Sequence, residues 1–486
     1  EQHINGDILE FVTLQPDALN APPCDGADSQ TGRSISYAIG AERINHLDFY
    51  LAKVDFAFHR QYNSQMDEFD HSMIGARWMM PFSNVMIQNA QGYLFIDGKG
   101  RKHQLPSSIR YEAYSVPFEG FTVTPHEDND LLLNFGSAWN FHFHSFNGGK
   151  HYHVVQQFND KTDEKVVLTY LLFEQFAYLQ AIDFQLKRAK HVLKFAFNEQ
   201  AKVIAAFVDD QAEALARYEY DTQGNLIKAI DQNGHTRSYE YNQTHQLTRY
   251  TDRTGRGQNI RYESTAAKAK AVAEWADDGS FKTRLEWHPR LRQVAVYDVY
   301  DTPTYYYFDL DGFTYRIRLA DGRETWLSRN GQKRITRQID FAGFETEQIY
   351  NNQGQVIKIV QPNGGIILFA YDEKGNLIEI KDPEGNIWKQ EYDAHGNVSK
   401  EINPLGHVTE YKYNNDHQIV EVTDARGSSK KIQYNDLGQV VSYTDCSGKN
   451  SAWQYDDEGT LIAQESADSQ KVQYIYSTQG KDKGQL

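Results

Sequence analysis

Along the C-terminal third of the chain, apolar and polar positions alternate in short runs that break off at a fixed interval. Leu377-Ile-Glu-Ile-Lys381 and Ile387-Trp-Lys-Gln-Glu-Tyr392 are examples, both rich in branched and aromatic residues. A period of two over so short a span predicts half-buried strands. Tyrosines set the interval: Tyr350, Tyr371, Tyr392, Tyr413, Tyr434, Tyr455 and Tyr476 stand 21 residues apart. Six residues beyond each Tyr the position is apolar, at Val356, Leu377, Val398, Ile419, Val440 and Leu461. Self-similarity this regular marks a repeat architecture.

The polar residues between the runs predict turns. Asp or Asn follows the Tyr directly (Asp372, Asp393, Asn414, Asn435, Asp456), and Gly stands four residues after it in most copies. In Tyr371-Asp-Glu-Lys-Gly375-Asn376 the Asp side chain can bond the backbone two residues on, and the Gly supplies a positive φ. A second Gly lies fourteen residues after the Tyr (Gly364, Gly385, Gly406, Gly427, Gly448), as in Asp382-Pro383-Glu384-Gly385, where Pro presets the turn. One repeat is two strands and two turns, so the fold class is all-β: an antiparallel meander.

Upstream, the ladder starts at Tyr220-Asp221-Thr-Gln-Gly224-Asn225 and continues at Tyr241 and Tyr262, after a weak rung at Phe197-Asn198. From Tyr262 to Trp287 the step is 25, which places four extra residues within 266–283. The Ala-Ala-Lys-Ala-Lys-Ala-Val-Ala-Glu-Trp run there reads as a loop insertion with one helical turn. The register returns at Trp287 and Phe308, with a degenerate copy at Arg329. Three regions follow: an N-terminal segment and linker over 1–35, an opening β-rich region over 36–195, and the period-21 spiral over 196–486. The first holds a short strand within 4–14 and a turn at Pro22-Pro23-Cys24. In the second, Tyr93-Leu-Phe-Ile-Asp97-Gly-Lys-Gly100-Arg101 is a hairpin.

Composition narrows the function. A net charge of −16 over 486 residues argues against a nucleic-acid partner. Cys24 and Cys446 have no partner spacing, which excludes a disulfide framework or metal knuckle. No apolar run is long enough to span a membrane as a helix. The chain opens on Glu1 without a signal peptide and stops with a repeat unfinished, so both ends are read as cuts in a longer protein.

Tyr-Asp-x-x-Gly-Asn at a period of 21 resembles the YD repeats of Rhs proteins, Tc toxin C subunits and teneurins. Thr31-Gly32, Asp48-Phe49, Arg60-Gln-Tyr62-Asn-Ser64, Gly75-x-x-Trp78, Pro81-Phe82 and Asp97-Gly-x-Gly100-Arg101 are similar to the opening region of bacterial Rhs cores. The resemblance implies a hollow, barrel-like β shell built by spiralling strands around a toxin. It further implies export as an effector by a contact-dependent route such as type VI secretion. The partners implied are a C-terminal toxin domain, the rest of the same shell, and secretion spike or chaperone proteins. Rhs cores end in an aspartyl self-cleavage segment around Asp-Pro-x-Gly. Asp382-Pro383-Glu384-Gly385 has those letters but sits in repeat register and reads as a turn.

The most pointed chemistry is a hairpin, Phe141-His142-Phe-His144-Ser-Phe-Asn147-Gly148-Gly149-Lys-His151-Tyr-His153. Alternation puts His142 with His144 and His151 with His153 on one face each. A two-residue turn would gather all four as Zn or Ni ligands, whereas a three-residue turn would split them. The plainer reading is a polar face of stacked rings without metal. Glu127-Asp128-Asn129-Asp130 lacks a calcium-loop register and reads as a solvated turn. No nucleophile elbow, phosphate loop or redox Cys pair is present. The expectation is a shell that is not an enzyme and needs no cofactor. The alternative is a carbohydrate- or cell-surface-binding module whose strand tyrosines stack on sugars.

Overall fold

The computed structural model describes residues 34–476 apart from 117–118, 147, 149, 174–175, 188, 311 and 457–458. The expected strand within 4–14, the Pro22-Pro23-Cys24 turn and Thr31-Gly32 lie outside the described residues. Among those described there is no α-helix. The chain forms two compact units, Glu1–Gly322 and Arg323–Leu486.

In the second unit the strands from Glu324–Arg329 to Lys471–Gln473 each pair antiparallel with the next. The turns are built as their residues dictate. After Tyr371 the Asp372 amide donates to the Asn376 carbonyl at 2.9 Å and the Gly375 amide to the Asp372 carbonyl at 3.1 Å. The Asp372 carboxylate accepts from the amides of Lys374 and Asn376. Gly396, at the matching place one repeat later, has φ of 90°. His417, Lys333, His245 and Ala201 hold the same place in their copies with positive φ and no glycine. Turn geometry there overrides the preference of an L side chain, at a cost of about 1–2 kcal/mol each. Ala201 follows the weak rung at Phe197 and Lys333 the degenerate one at Arg329, so both are structural copies. Asp382-Pro383-Glu384-Gly385 is likewise a repeat turn, closed by the Gly385 amide on the Asp382 carbonyl.

Each rung tyrosine from Tyr350 to Tyr455 ends its strand at a β-bulge. The preceding hairpin is paired only at its closed end: Lys358 to Val360 match Leu368 to Ile366, and beyond them Val356 and Tyr371 are unmatched. The Tyr371 hydroxyl reaches across this gap and donates to the Val356 carbonyl at 2.8 Å. Tyr392, Tyr413, Tyr434, Tyr455 and Tyr476 make the same bond to the carbonyls of Leu377, Val398, Ile419, Val440 and Leu461. The apolar position six residues after one Tyr is therefore the acceptor for the next. Nothing in the period alone pointed to this use of the hydroxyl.

The expected barrel-like closure is not found. Among the described residues the Lys471–Gln473 strand pairs only with Leu461–Glu465, so the sheet is not a closed barrel. A meander whose every turn reverses the chain into its neighbour adds strands in sequence order and closes only if its ends meet.

The first unit has two parts. Arg43–Leu51, Phe56–Asn63 and Trp78–Met79 form a three-stranded sheet. From Val85 onward the strands follow the meander, with one fold-back in which His151–His153 pairs with Val85–Ile87. The expected hairpin at 93–101 is present as Gly92–Ile96 against Lys102–Leu105. The alanine-rich run differs from expectation. Ala271–Ala276 is a strand paired with Gly257–Tyr262, and a turn at 266–269 precedes it. Ala271 and Ala273 are buried, and their small side chains suit a tightly covered sheet face, so packing overrides helix propensity.

Gly396→Val tests the turn assignment. A Cβ there meets nothing within 4 Å, so the cost is backbone strain alone. Urea unfolding should show a loss of about 1–3 kcal/mol, whereas the same change at exposed Gln353 should stay within about 0.5 kcal/mol.

Candidate functional site

The densest polar chemistry lies where the three-stranded sheet packs on the first repeats. Sequence alternation turns Asp48 and Arg60 inward from paired strands, where both are almost fully buried. Arg60 holds Asp48 through two nitrogens, Nε to Oδ2 at 2.5 Å and Nη2 to Oδ1 at 2.9 Å. The repeat sheet supplies the remaining partners. The Tyr218 hydroxyl donates to Asp48 Oδ2 at 2.7 Å, and Arg60 Nη2 donates to the Tyr239 hydroxyl at 3.1 Å. The guanidinium lies 4.7 Å from the Trp78 ring centre. Trp78 in turn donates its indole N–H to the Tyr241 hydroxyl at 2.7 Å. Tyr62 clamps the turn after Tyr241, donating to the His245 carbonyl and accepting from the Leu247 amide. His46 meets the Tyr239 hydroxyl at 2.8 Å; burial, then the charges of Arg60, Arg237 and Arg253, push its pKa down to about 2. It is therefore neutral at any physiological pH.

Gly75 fits because it has no side chain. Its φ is 110°, and a Cβ would stand 2.7 Å from that of Leu226. The Ala76 amide then reaches the Gly224 carbonyl of the first repeat turn. Asp48, Arg60, Tyr62, Gly75 and Trp78 thus form a seam that fastens the N-terminal sheet to the repeats.

The histidine hairpin consists of Trp139–Ser145 and His151–Asn159, with His144 opposite His153. His142 Nε2 lies 2.7 Å from Asp130 Oδ2, and His144 Nδ1 lies 3.0 Å from both oxygens of the same carboxylate. The Phe146 ring packs on His144 and His153, with centroids at 4.9 and 6.3 Å. Burial and the neighbouring His151 push His153 down to about 4, and burial with Lys150 lowers His151. Among the described residues no group of three or more His, Cys, Asp or Glu is disposed to hold a metal ion. Asp130, assigned to a solvated turn from sequence, is buried against His142 and His144 instead. The apolar alternation of Leu131 to Leu133 just after it was the signal that the chain already enters a strand there.

Three families match the sequence. A domain of unknown function (DUF6531) covers residues 32–105, the RHS Repeat covers 220–256, and the Teneurin YD-shell covers 314–483. The chain thus carries repeats that match the RHS Repeat and the Teneurin YD-shell models. The first match spans the seam residues and the other two span repeats whose turns and tyrosines are described above. No curated protein matches this chain. Among solved structures, the crystal structure of TcdB2-TccC3 is 12% identical with a TM-score of 0.37, covering 91% of this chain and 26% of that one. The Photorhabdus luminescens Tc holotoxin pore, at the same identity and TM-score, covers 84% and 21%. TcdB2-TccC3-Cdc42 covers 76% and 19%. The chain thus spans about a quarter or less of each of these three chains. No described helix is long and apolar enough to cross a membrane.

Two substitutions separate the roles of these contacts. Arg60→Leu removes the two-nitrogen partner of buried Asp48, leaving only Arg237 at 3.9 Å, and should cost about 3–5 kcal/mol in urea unfolding. Tyr413→Phe removes one hydroxyl from one repeat and should cost about 0.5–1.5 kcal/mol. Tyr300→Phe, at an exposed turn, serves as the neutral comparison.

Proposed function

We propose that this chain is part of the wall of a shell that confines a toxic polypeptide, working by enclosure rather than catalysis. The observation that carries the reading is the same repeat position compared within each unit. In the first unit the positions two residues before the rungs include Tyr218, Tyr239 and Ile260, all buried. Tyr218 and Tyr239 are covered by the chain's own N-terminal sheet. In the second unit the equivalent positions begin with Gln348 and Phe369, both buried, and continue with Gln390, Tyr411, Ile432 and Trp453, each half-buried on a face that also carries Trp388, Val422 and Tyr443. The opposite face bears charged cross-strand pairs, among them Glu379 with Lys389, Glu391 with Lys400 and Lys412 with Glu421. A sheet with one charged and one aromatic-rich face is suited to stand between water and an enclosed chain.

The family matches support the same reading, since two are shell and repeat families. On it, the partners are a C-terminal toxin, the remainder of the shell, and spike or chaperone proteins that hand it on. The protein would be exported by a bacterium, by type VI secretion or a similar contact-dependent route, for competition between bacteria. The tyrosine hydroxyls weigh against a sugar-binding module, because the rungs from Tyr371 to Tyr476 spend theirs on backbone carbonyls.

Co-expression of this chain with the remainder of its shell and its toxin tests the proposal. The toxin should co-purify and resist protease until the shell is denatured. Glycan binding by the purified chain, with the toxin left digestible beside it, would favour the surface-binding module instead.

A further inference from the structure

Glu42 is the one acid in the seam that has no use in the packing described so far. It lies just before the Arg43–Leu51 strand and is fully buried. Its backbone is well served: the amide donates to Ser64 Oγ and the carbonyl accepts from the Ser64 amide, both at 2.9 Å. Its side chain is not. Neither Oε1 nor Oε2 has a hydrogen-bond partner among the described residues.

The groups around it are committed elsewhere. The Tyr62 hydroxyl donates to the His245 carbonyl and the Tyr262 hydroxyl to the Leu247 carbonyl. Arg77 spends its guanidinium on Asp70 and on the carbonyls of Ser64 and Ala267. Tyr250 faces Glu42 from the repeat sheet, and its own pKa is raised by burial and then by the charges of Glu42 and Glu274. Glu274, on Ala271–Ala276 of the repeat sheet, is the charged neighbour that repels Glu42, and it accepts a hydrogen bond from Ser34 Oγ at 2.9 Å. A carboxylate placed here has a second carboxylate in range and no cation of its own, and the one hydroxyl near it, Ser34, which offsets the upward shift in part, donates to Glu274. Such a group is tolerated only while it carries a proton.

We propose that Glu42 is a proton-operated lock on the seam between the N-terminal sheet and the repeat sheet. Protonated, it allows the two to pack. Ionised, it repels Glu274 in a dry interface and loosens the contact. Burial and then Glu274 raise its pKa well above the ordinary 4.5. Glu42 therefore binds its proton more tightly in the packed state than in the opened one. The stability this contributes is complete below the ordinary carboxylate range and is lost as pH rises through the raised value. The lock is tight in acid and releases toward alkaline pH, opposite to the usual salt-bridged carboxylate.

Hydrogen exchange of the peptide spanning 56–64, compared with Glu42→Gln at the same pH, reads the lock directly. At about pH 5 the two proteins should exchange alike, and at about pH 8 the wild type should exchange faster by about tenfold for each unit of upward shift that has been crossed. Equal exchange at both values, or a difference that does not change with pH, overturns the proposal. A second measurement does not depend on the variant folding. In protein labelled with carbon-13 at glutamate carboxyls, the wild type should keep a protonated-carboxyl infrared band at about pH 7. Its absence overturns the proposal whatever the variant does.

Discussion

The second unit depends on a bond that each rung tyrosine makes across the open end of the hairpin it closes. A hairpin paired only at its closed end leaves carbonyls unmatched next to apolar side chains at its open end. Here the rung Tyr closes the gap: its ring lies along the sheet and its hydroxyl satisfies the carbonyl fifteen residues earlier. The bond is worth about 1 kcal/mol by itself. Its effect is larger because it recurs, so that each hairpin's open end is fixed by the next repeat. The spacing of 21 follows from this geometry. Insertion or loss of a residue between Val356 and Tyr371 would carry the hydroxyl away from its acceptor and flip the strand faces.

The same constraint accounts for what could be read in advance. Turns were legible because Asp, Asn and Gly act through local chemistry, and the backbone there obeys them. Strand alternation was legible because the two faces meet different surroundings. The tyrosine's partner was not, since a period says which residues are equivalent and not what they touch. The alanine-rich run at 266–275 was misread for a related reason. Its helix propensity is real but worth only tenths of a kcal/mol per residue, whereas pairing with Gly257–Tyr262 and burial of Ala271 and Ala273 act on the whole strand.

The seam residues were visible only as letters in a resemblance. Asp48 and Arg60 stand in apolar runs, and that contradiction was the physical signal: a charged pair in a strand interior is tolerated when each is the other's partner. Tyr218 and Tyr239, which complete the pair's hydrogen bonds, lie 170 and 179 residues from Asp48 and Arg60 respectively, and no local pattern links them. Asp130 belongs to the same class. Its histidines sit twelve and fourteen residues downstream, across a hairpin whose register the sequence left open.

The seam also shows how one repeat sheet can serve two surroundings. The residue two before each rung holds the same repeat position in each unit, but its identity changes with what covers it. Under the N-terminal sheet it is Tyr218 or Tyr239, whose hydroxyls reach a buried ion pair. In the second unit, beyond the buried Gln348 and Phe369, it is Gln390, whose amide donates to Glu401, or Tyr411, whose hydroxyl donates to the same Glu401. There the polar groups are satisfied within the sheet. A face that settles its own hydrogen bonds makes no fixed demand on a partner, whereas the seam, with its charged pair and close glycine, accepts only one. The first is suited to holding a chain of unspecified sequence, and the second to fastening a specific part of the same molecule.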